Sequence, residues 1–288
     1  MSFKTSRITF SSRRESHQTY ENLKNFLDRN DSEKILRESF SLEHKIGEGF
    51  LSEVFKIQDV PDFVLKVDKF QKNPLLNINP VRAKDYFPEL NLGQPLAHLN
   101  KSASILVRQS GTPCGIRYFE NKQNKKVTQP DVQRFIEYLK KIDGYPQAAY
   151  DNFEKEIKTI YERNHMFDFV NSQNVLADSS KKAFNIIDII KRRTTRYQNC
   201  DLVMPMALLD FQNYPDFLKM ANAEEREKIL NLSSGIVNKS KNAYYAHNKR
   251  SFEFFFDFYG HFIGIKNSKE ITSKFFEMKR IFKSLIPK

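Results

Sequence analysis

The sequence predicts an α+β protein of two unequal lobes, a small antiparallel β lobe followed by a mainly helical one. Strand-type patterning occupies residues 44–113, whereas apolar residues recur at helical spacing after about residue 128. Strands first and helices afterwards is the order of an α+β chain rather than of alternating βαβ units. The 288 residues, 40% of them hydrophobic, suffice for one two-lobed domain or two small ones. With 26 Phe against 9 Gly, the composition favours packed aromatic cores over a succession of tight turns.

Residues 1–20 are rich in Ser, Arg, Lys and Thr without an apolar period, and read as a mobile tail. Leu23, Phe26 and Leu27, then Ile35, Leu36 and Phe40, predict short helices up to residue 40. Such a polar start also suits a bacterial type III secretion signal. From His44 the texture is that of strands: Phe55, Ile57 and Val60, then Phe63-Val64-Leu65-Lys66-Val67 after the Pro61-Asp62 turn. Pro74, Pro80 and Pro88 punctuate the next stretch, with one short helix expected over residues 81–90. Ala103-Ser104-Ile105-Leu106-Val107 reads as a strand ended by Gly111-Thr112-Pro113.

Val132, Phe135, Ile136, Leu139 and Ile142 then share one helical face after a Pro130-Asp131 start. Phe153, Ile157, Ile160 and Tyr161 form a second stripe, and two short strands flanking residues 177–182 predict a hairpin. Ile271, Phe275, Met278, Phe282 and Leu285 predict a closing helix. The expected division is residues 1–40 as tail and short helices, 41–113 as the β lobe, and 114–288 as the helical lobe with its hairpin.

The formal net charge is +12 and the pI near 9.5, a surface that attracts anions: acidic proteins, anionic lipid or nucleic acid. Nothing beyond that charge indicates nucleic acid, and a solvated Lys-rich surface is the plainer account of it. No apolar run approaches the 18 or so residues of a membrane span, and no secretory apolar core follows Met1. Cys114 and Cys200 stand alone, outside any metal-ligand spacing, so a disulfide framework is not expected and a reducing compartment is.

Two segments carry chemistry. The first is Ile46-Gly47-Glu48-Gly49-Phe50-Leu51-Ser52-Glu53-Val54-Phe55, followed by Val64-Leu65-Lys66-Val67. Paired glycines let backbone approach a ligand closely, and also suit an ordinary hairpin turn. Lys66 interrupts an apolar strand, which calls either for an anion or for an edge position facing water. The second segment is Asn171-Ser172-Gln173-Asn174-Val175-Leu176, followed by Phe184-Asn185-Ile186-Ile187-Asp188. Asp188 lies in the run Ile186-Ile187-Asp188-Ile189-Ile190, where a carboxylate needs a cation or a turn to cap.

In this order and at this distance, the set resembles the nucleotide-handling skeleton of protein kinases, and the similarity runs over residues 44–190. The resemblance implies a two-lobed kinase-like fold. It implies an ATP cover of Gly47, Gly49, Ser52 and Val54, and Lys66 on the α- and β-phosphates. It also implies Asn174 and Asp188 as Mg²⁺ ligands, fourteen positions apart across a hairpin. The chain is similar in general character to small bacterial type III effector kinases. That points to ATP- and Mg²⁺-dependent Ser/Thr phosphoryl transfer onto a host protein, and to a secreted virulence effector.

The departures are equally specific. Ser52 replaces the third glycine of the family's loop. The catalytic-loop aspartate belongs five residues before Asn174, where Phe169 stands, and Asp168 is one residue further back. Asp168 serves as the acceptor-orienting base if the loop carries an extra residue; otherwise the base is missing. Ile190 takes the place of the D-F-G glycine, no A-P-E follows, and Lys191-Arg192-Arg193-Thr194-Thr195-Arg196 comes instead. This basic run suits an acidic substrate, a phosphorylated segment, or plain solvation. Asp85 and Glu89 are the candidate acidic partners of Lys66, with Pro88 breaking their helix.

His165 reads as a helix-end dipole partner, and His247 and His261 lack the acidic company of a hydrolase. The alternative from the binding class is a pseudokinase scaffold that docks a host protein with or without nucleotide. AMP transfer is a further reading, as is a small-molecule kinase of the aminoglycoside or choline phosphotransferase kind. For the latter Asp210, Asp216 and Asp257 are the available acids, although the H-G-D of that group is absent.

Overall fold

The computed structural model describes residues 10–48, 52–83, 90, 92–93, 95–114, 127–163, 165–167, 172–191, 203–210 and 213–240, and positions 277, 280, 281 and 284. It is α+β, and the chain divides into two compact units after Gln109.

The first unit opens with two helices, α1 (Phe10–Leu27) and α2 (Ser32–Ser39), followed by strands β1 (Lys45–Glu48), β2 (Ser52–Lys56), β3 (Phe63–Asp68), β4 (Val81–Arg82), β5 (Pro95–His98) and β6 (Ala103–Val107). The strands form one antiparallel sheet in the order β1-β2-β3-β6-β5-β4. Alternation along β3 decides how the sheet is used. Phe63, Leu65 and Val67 are at most 2% exposed and share a core with Phe55, Ile57, Ile105 and Ala103. Leu23 and Phe26 of α1 and Ile35 and Leu36 of α2 belong to that same core.

The N-terminal segment therefore departs from expectation: a helix begins at Phe10, where a tail to residue 20 was expected. Once Leu23 and Phe26 anchor the C-terminal turns in the core, adding further polar turns costs little, because propagation is far cheaper than nucleation. Gln18 donating to Asn22 at 2.9 Å adds a bond one turn apart. A second departure concerns residues 81–90. Val81 and Arg82 are strand residues, paired with His98 and Ala97 at the sheet edge; residues 84–89 of the expected helix lie outside the described residues.

The second unit begins one strand earlier than expected. Here β7 (Thr112–Pro113) joins β9 (Val175–Asp178) and β10 (Ala183–Ile186) in a sheet of order β10-β9-β7. Helices α3 (Gln129–Asp143) and α4 (Gln147–Glu162) precede β8 (His165–Phe167), which pairs with β11 (Ile189–Lys191). Helices α5 (Val203–Leu208), α6 (Tyr214–Met220) and α7 (Ala223–Lys239) follow. The Pro130-Asp131 start of α3 is completed by Thr128, whose backbone N–H donates to Asp131 Oδ2 at 2.8 Å.

The predicted stripes of α3 and α4 are core seams, with Phe135, Leu139, Ile142, Phe153 and Ile160 all at most 1% exposed. Phe184 of β10 sits amid the rings of Tyr145, Tyr150 and Phe153, at centroid distances of 5.1, 5.3 and 5.4 Å. That cluster fixes the β9–β10 hairpin against α4. The expected closing helix lies outside the described residues at each of its five stripe positions.

Candidate functional site

In the first unit the sequence-predicted residues lie along one cross-strand row. Gly47 is paired with Val54, Val54 with Lys66, Lys66 with Ser104 and Ser104 with His98. Side chains of opposed residues point to the same face, so Val54 and Lys66 share the face turned away from the helix-covered core. β3 is an interior strand with β2 and β6 on either side, which rules out an edge-strand explanation for Lys66. Lys66 is half-buried there, with Val64 and Leu106 forming the apolar row beside it.

Among the described residues nothing requires Gly47 to be glycine. A Cβ built on it would meet Val54 Cβ at 3.8 Å, an ordinary contact. Ser52 is half-buried opposite Asp68 at the head of β2; Gly49 lies outside the described residues. The base of the turn is held by charge. Lys45 Nζ donates to Glu48 at 2.8 Å and Glu53 at 2.6 Å, and Lys69 reaches Glu48 at 3.1 Å. Hydrogen bonds from Lys45 and then Lys69 pull the Glu48 carboxyl down to about 2, and the bonds to Glu48 and then Glu53 raise the Lys45 ammonium. Asp85 and Glu89 lie outside the described residues.

In the second unit the hairpin brings Asn174 and the neighbourhood of Asp188 together. Asn174 ends a short 3-10 turn (Ser172–Asn174) and is 8% exposed. The β9–β10 ladder pairs Val175 with Ile186 and is extended one step by Ile187 N–H donating to Asn174 O at 2.9 Å. Asp188 comes next, half-buried, and Ile189 then pairs with Phe167 in the second ladder. The apolar run 186–190 is thus not one strand. Asp188 occupies the step between two ladders, where a carboxylate keeps access to solvent or a cation.

Asp168, which follows Phe167 in the chain, and Phe169 lie outside the described residues, as do residues 192–196 of the basic run. An amide oxygen at Asn174 and a carboxylate at Asp188 are hard oxygen donors, the set that suits Mg²⁺ shared with phosphate oxygens. Among the described residues no three His, Cys, Asp or Glu side chains gather as a metal site of their own.

Asp178, which sequence reasoning passed over, caps a turn in the same hairpin. Asp178 is 3% exposed. It accepts from Ser110 Oγ at 2.5 Å, Ser180 Oγ at 2.6 Å, Ser180 N–H at 2.9 Å and Lys181 N–H at 3.2 Å. The Ser110 and Ser180 hydroxyls hold its carboxyl down at about 2, despite burial that acts the other way. The Asp178-Ser179-Ser180 sequence carries that turn signal.

Asn185 completes the anchor, its Nδ2 donating to Ser110 O at 2.7 Å. Between them Gly111 adopts φ +122°, and a Cβ there would stand 2.9 Å from the Ala177 carbonyl carbon. This glycine is required, by both conformation and space. Cys114 N–H donates to Val175 O at 2.7 Å, and burial pushes the Cys114 thiol up to about 12, far from a reactive thiolate.

Two of the remaining candidates make local contacts. His165 is buried and its Nδ1–H donates to Arg163 O at 2.9 Å, just past the end of α4. Asp210 is 2% exposed at φ 53° and accepts from Asn213 Nδ2 at 3.0 and 3.2 Å at the start of α6. Asp216 is half-buried on α6, while Asp257, His247, His261 and Cys200 lie outside the described residues. Among the described residues no helix is long and apolar enough to cross a membrane. No protein-family model, no curated protein and no solved structure matches this chain.

Proposed function

We propose that the protein is a divergent ATP- and Mg²⁺-dependent protein kinase. The observation that carries the reading is the bond from Ile187 N–H to Asn174 O, which sets Asn174 and Asp188 at the same open end of one hairpin. The shared row of Gly47, Val54 and Lys66 supports it from the other unit.

In this reading Val54 and Val64 give the base an apolar surface, and the Lys66 ammonium holds the α- and β-phosphates. Asn174 and Asp188 would hold Mg²⁺, which when bound neutralises charge on the phosphate oxygens. Asp168 takes the hydrogen bond of an acceptor hydroxyl. The hydroxyl oxygen bonds to the γ-phosphorus as its proton passes to the Asp168 carboxylate, and the bond to the bridging oxygen breaks to release ADP. Phosphoryl transfer requires mostly positioning and electrostatics, so a sparse set of this kind suffices. The acceptor is a Ser or Thr hydroxyl of a protein. Delivery into a host cell fits the polar first residues and remains part of the same proposal.

Phe169 favours a second reading. If no carboxylate reaches the acceptor, the same residues bind nucleotide in a pseudokinase scaffold. Thermal unfolding with ATP, with and without Mg²⁺, tests the shared premise. A Mg²⁺-dependent rise in melting temperature, lost in Asp188→Ala, is expected. ATP leaving the melting temperature unchanged at saturating concentration would contradict both nucleotide-binding readings and leave the scaffold that docks a host protein without nucleotide.

A further inference from the structure

Beyond β3 the chain runs into a loop, residues 69–80, that is braced against the β5–β6 turn, residues 99–102. Asp68 N–H donates to Ser102 O and Asn79 N–H to Leu99 O, both at 2.8 Å. Asn100 Nδ2 donates to the carbonyls of Pro74 and Leu76 at 2.8 and 3.1 Å, while Asn100 Oδ1 accepts from Ser102 N–H at 2.7 Å. Asp68 Oδ1 accepts from Phe70 N–H at 2.9 Å. Both ends of the loop are therefore fixed around the same turn.

The loop sorts its side chains sharply. Leu75 enters the core at 4% exposed, whereas its neighbour Leu76 is 57% exposed and Phe70 66% exposed. Lys72 and Lys101 are exposed on the same two segments, and Lys69 is turned to Glu48 at 3.1 Å. No Asp or Glu occurs in residues 69–83 or 99–107.

We propose that this braced loop is a membrane-docking surface, with Phe70 and Leu76 entering the headgroup boundary of an anionic bilayer and Lys72 and Lys101 lying against its phosphates. Large apolar side chains held outward by backbone hydrogen bonds lose free energy in water and gain it at a lipid interface. Lys72 and Lys101 supply the electrostatic half of such binding, while the two carboxylates beside the loop are already engaged, Asp68 by Phe70 N–H and Glu48 by Lys69. A bilayer satisfies both features at once, and a net charge of +12 draws the chain toward it. The inference is independent of the phosphoryl-transfer reading.

The test is co-sedimentation of the full chain with vesicles of phosphatidylcholine alone and of phosphatidylcholine mixed with phosphatidylserine. Binding is expected to the anionic vesicles only. Phe70→Ser with Leu76→Ser should weaken it by about tenfold or more, and Lys72→Glu with Lys101→Glu comparably, at an unchanged melting temperature because all four side chains are exposed. No binding to either vesicle, equal binding to both, or undiminished binding of both double variants would overturn the proposal. Retention on a polyglutamate resin, lost in the same variants and without vesicle binding, would also overturn it and reassign the surface to an acidic protein.

Discussion

The two units hold their candidate residues in different ways. In the first, Gly47, Val54 and Lys66 are aligned by strand register alone, on the face of a sheet whose other face is filled by α1 and α2. In the second, Asn174 and Asp188 are brought together by closing a hairpin, and that hairpin depends on distant groups: Ser110, 68 residues from Asp178 and 75 from Asn185. A row set by register tolerates local change as long as the sheet keeps its pairing. A pair set by hairpin closure depends on each anchor.

The largest expected difference comes from the aromatic cluster of the second unit. Phe184→Ala removes the ring shared by Tyr145, Tyr150 and Phe153 and should cost about 3–5 kcal/mol. Chemical denaturation followed separately by hydrogen exchange in each unit would show the loss concentrated in residues 110–288. A uniform loss across both units would break the contrast.

Two glycines sharpen it further. Gly111→Ala forces a side chain into a left-handed backbone and onto Ala177, and is expected to destabilise the second unit by about 2–3 kcal/mol. Gly47→Ala meets only an ordinary contact and should change stability by less than about 0.5 kcal/mol. If Gly47 is there for a ligand, that variant loses ATP affinity while keeping its melting temperature, as calorimetric titration would show.

Asp178 gives a smaller, pH-dependent effect. Its folded carboxyl is depressed to about 2, so its stabilisation is present above the ordinary aspartate range and is lost as pH falls from about 3.9 toward about 2. Asp178→Asn should cost about 2 kcal/mol near neutral pH, with the gap to wild type closing on acidification. A gap that persists in acid would mean that shape, not charge, anchors the hairpin.

Much of this arrangement was legible in the sequence because it depends on local period and spacing. Alternation placed β3 and β6 and turned Lys66 away from Leu65 and Val67, and the turn residues between Ala177 and Ala183 announced the hairpin. The stripes of α3 and α4 were equally plain. What was hidden depends on contacts far apart in the chain. The start of α1 is set by burial of Leu23 and Phe26 against strands that come later. The strand status of Val81 and Arg82 needs β5 as a partner, and the assignment of Thr112–Pro113 to the second unit needs β9. Asp188 looked buried in an apolar run because sequence alone does not reveal a change of partner strand after Ile187. The Asp178 turn signal was local and readable, but its partner Ser110 was not.

The measurement that bears most directly on the account is transfer of label from γ-labelled ATP, with Mg²⁺ and a host-cell lysate, by wild type beside Lys66→Ala and Asp188→Ala. Each unit contributes one of the two altered residues. Label on the protein or on a lysate protein, reduced about a hundredfold or more by either substitution at an unchanged melting temperature, is the predicted result. Label undiminished by Asp188→Ala, or no label from any form, would contradict a kinase in which the hairpin holds the metal.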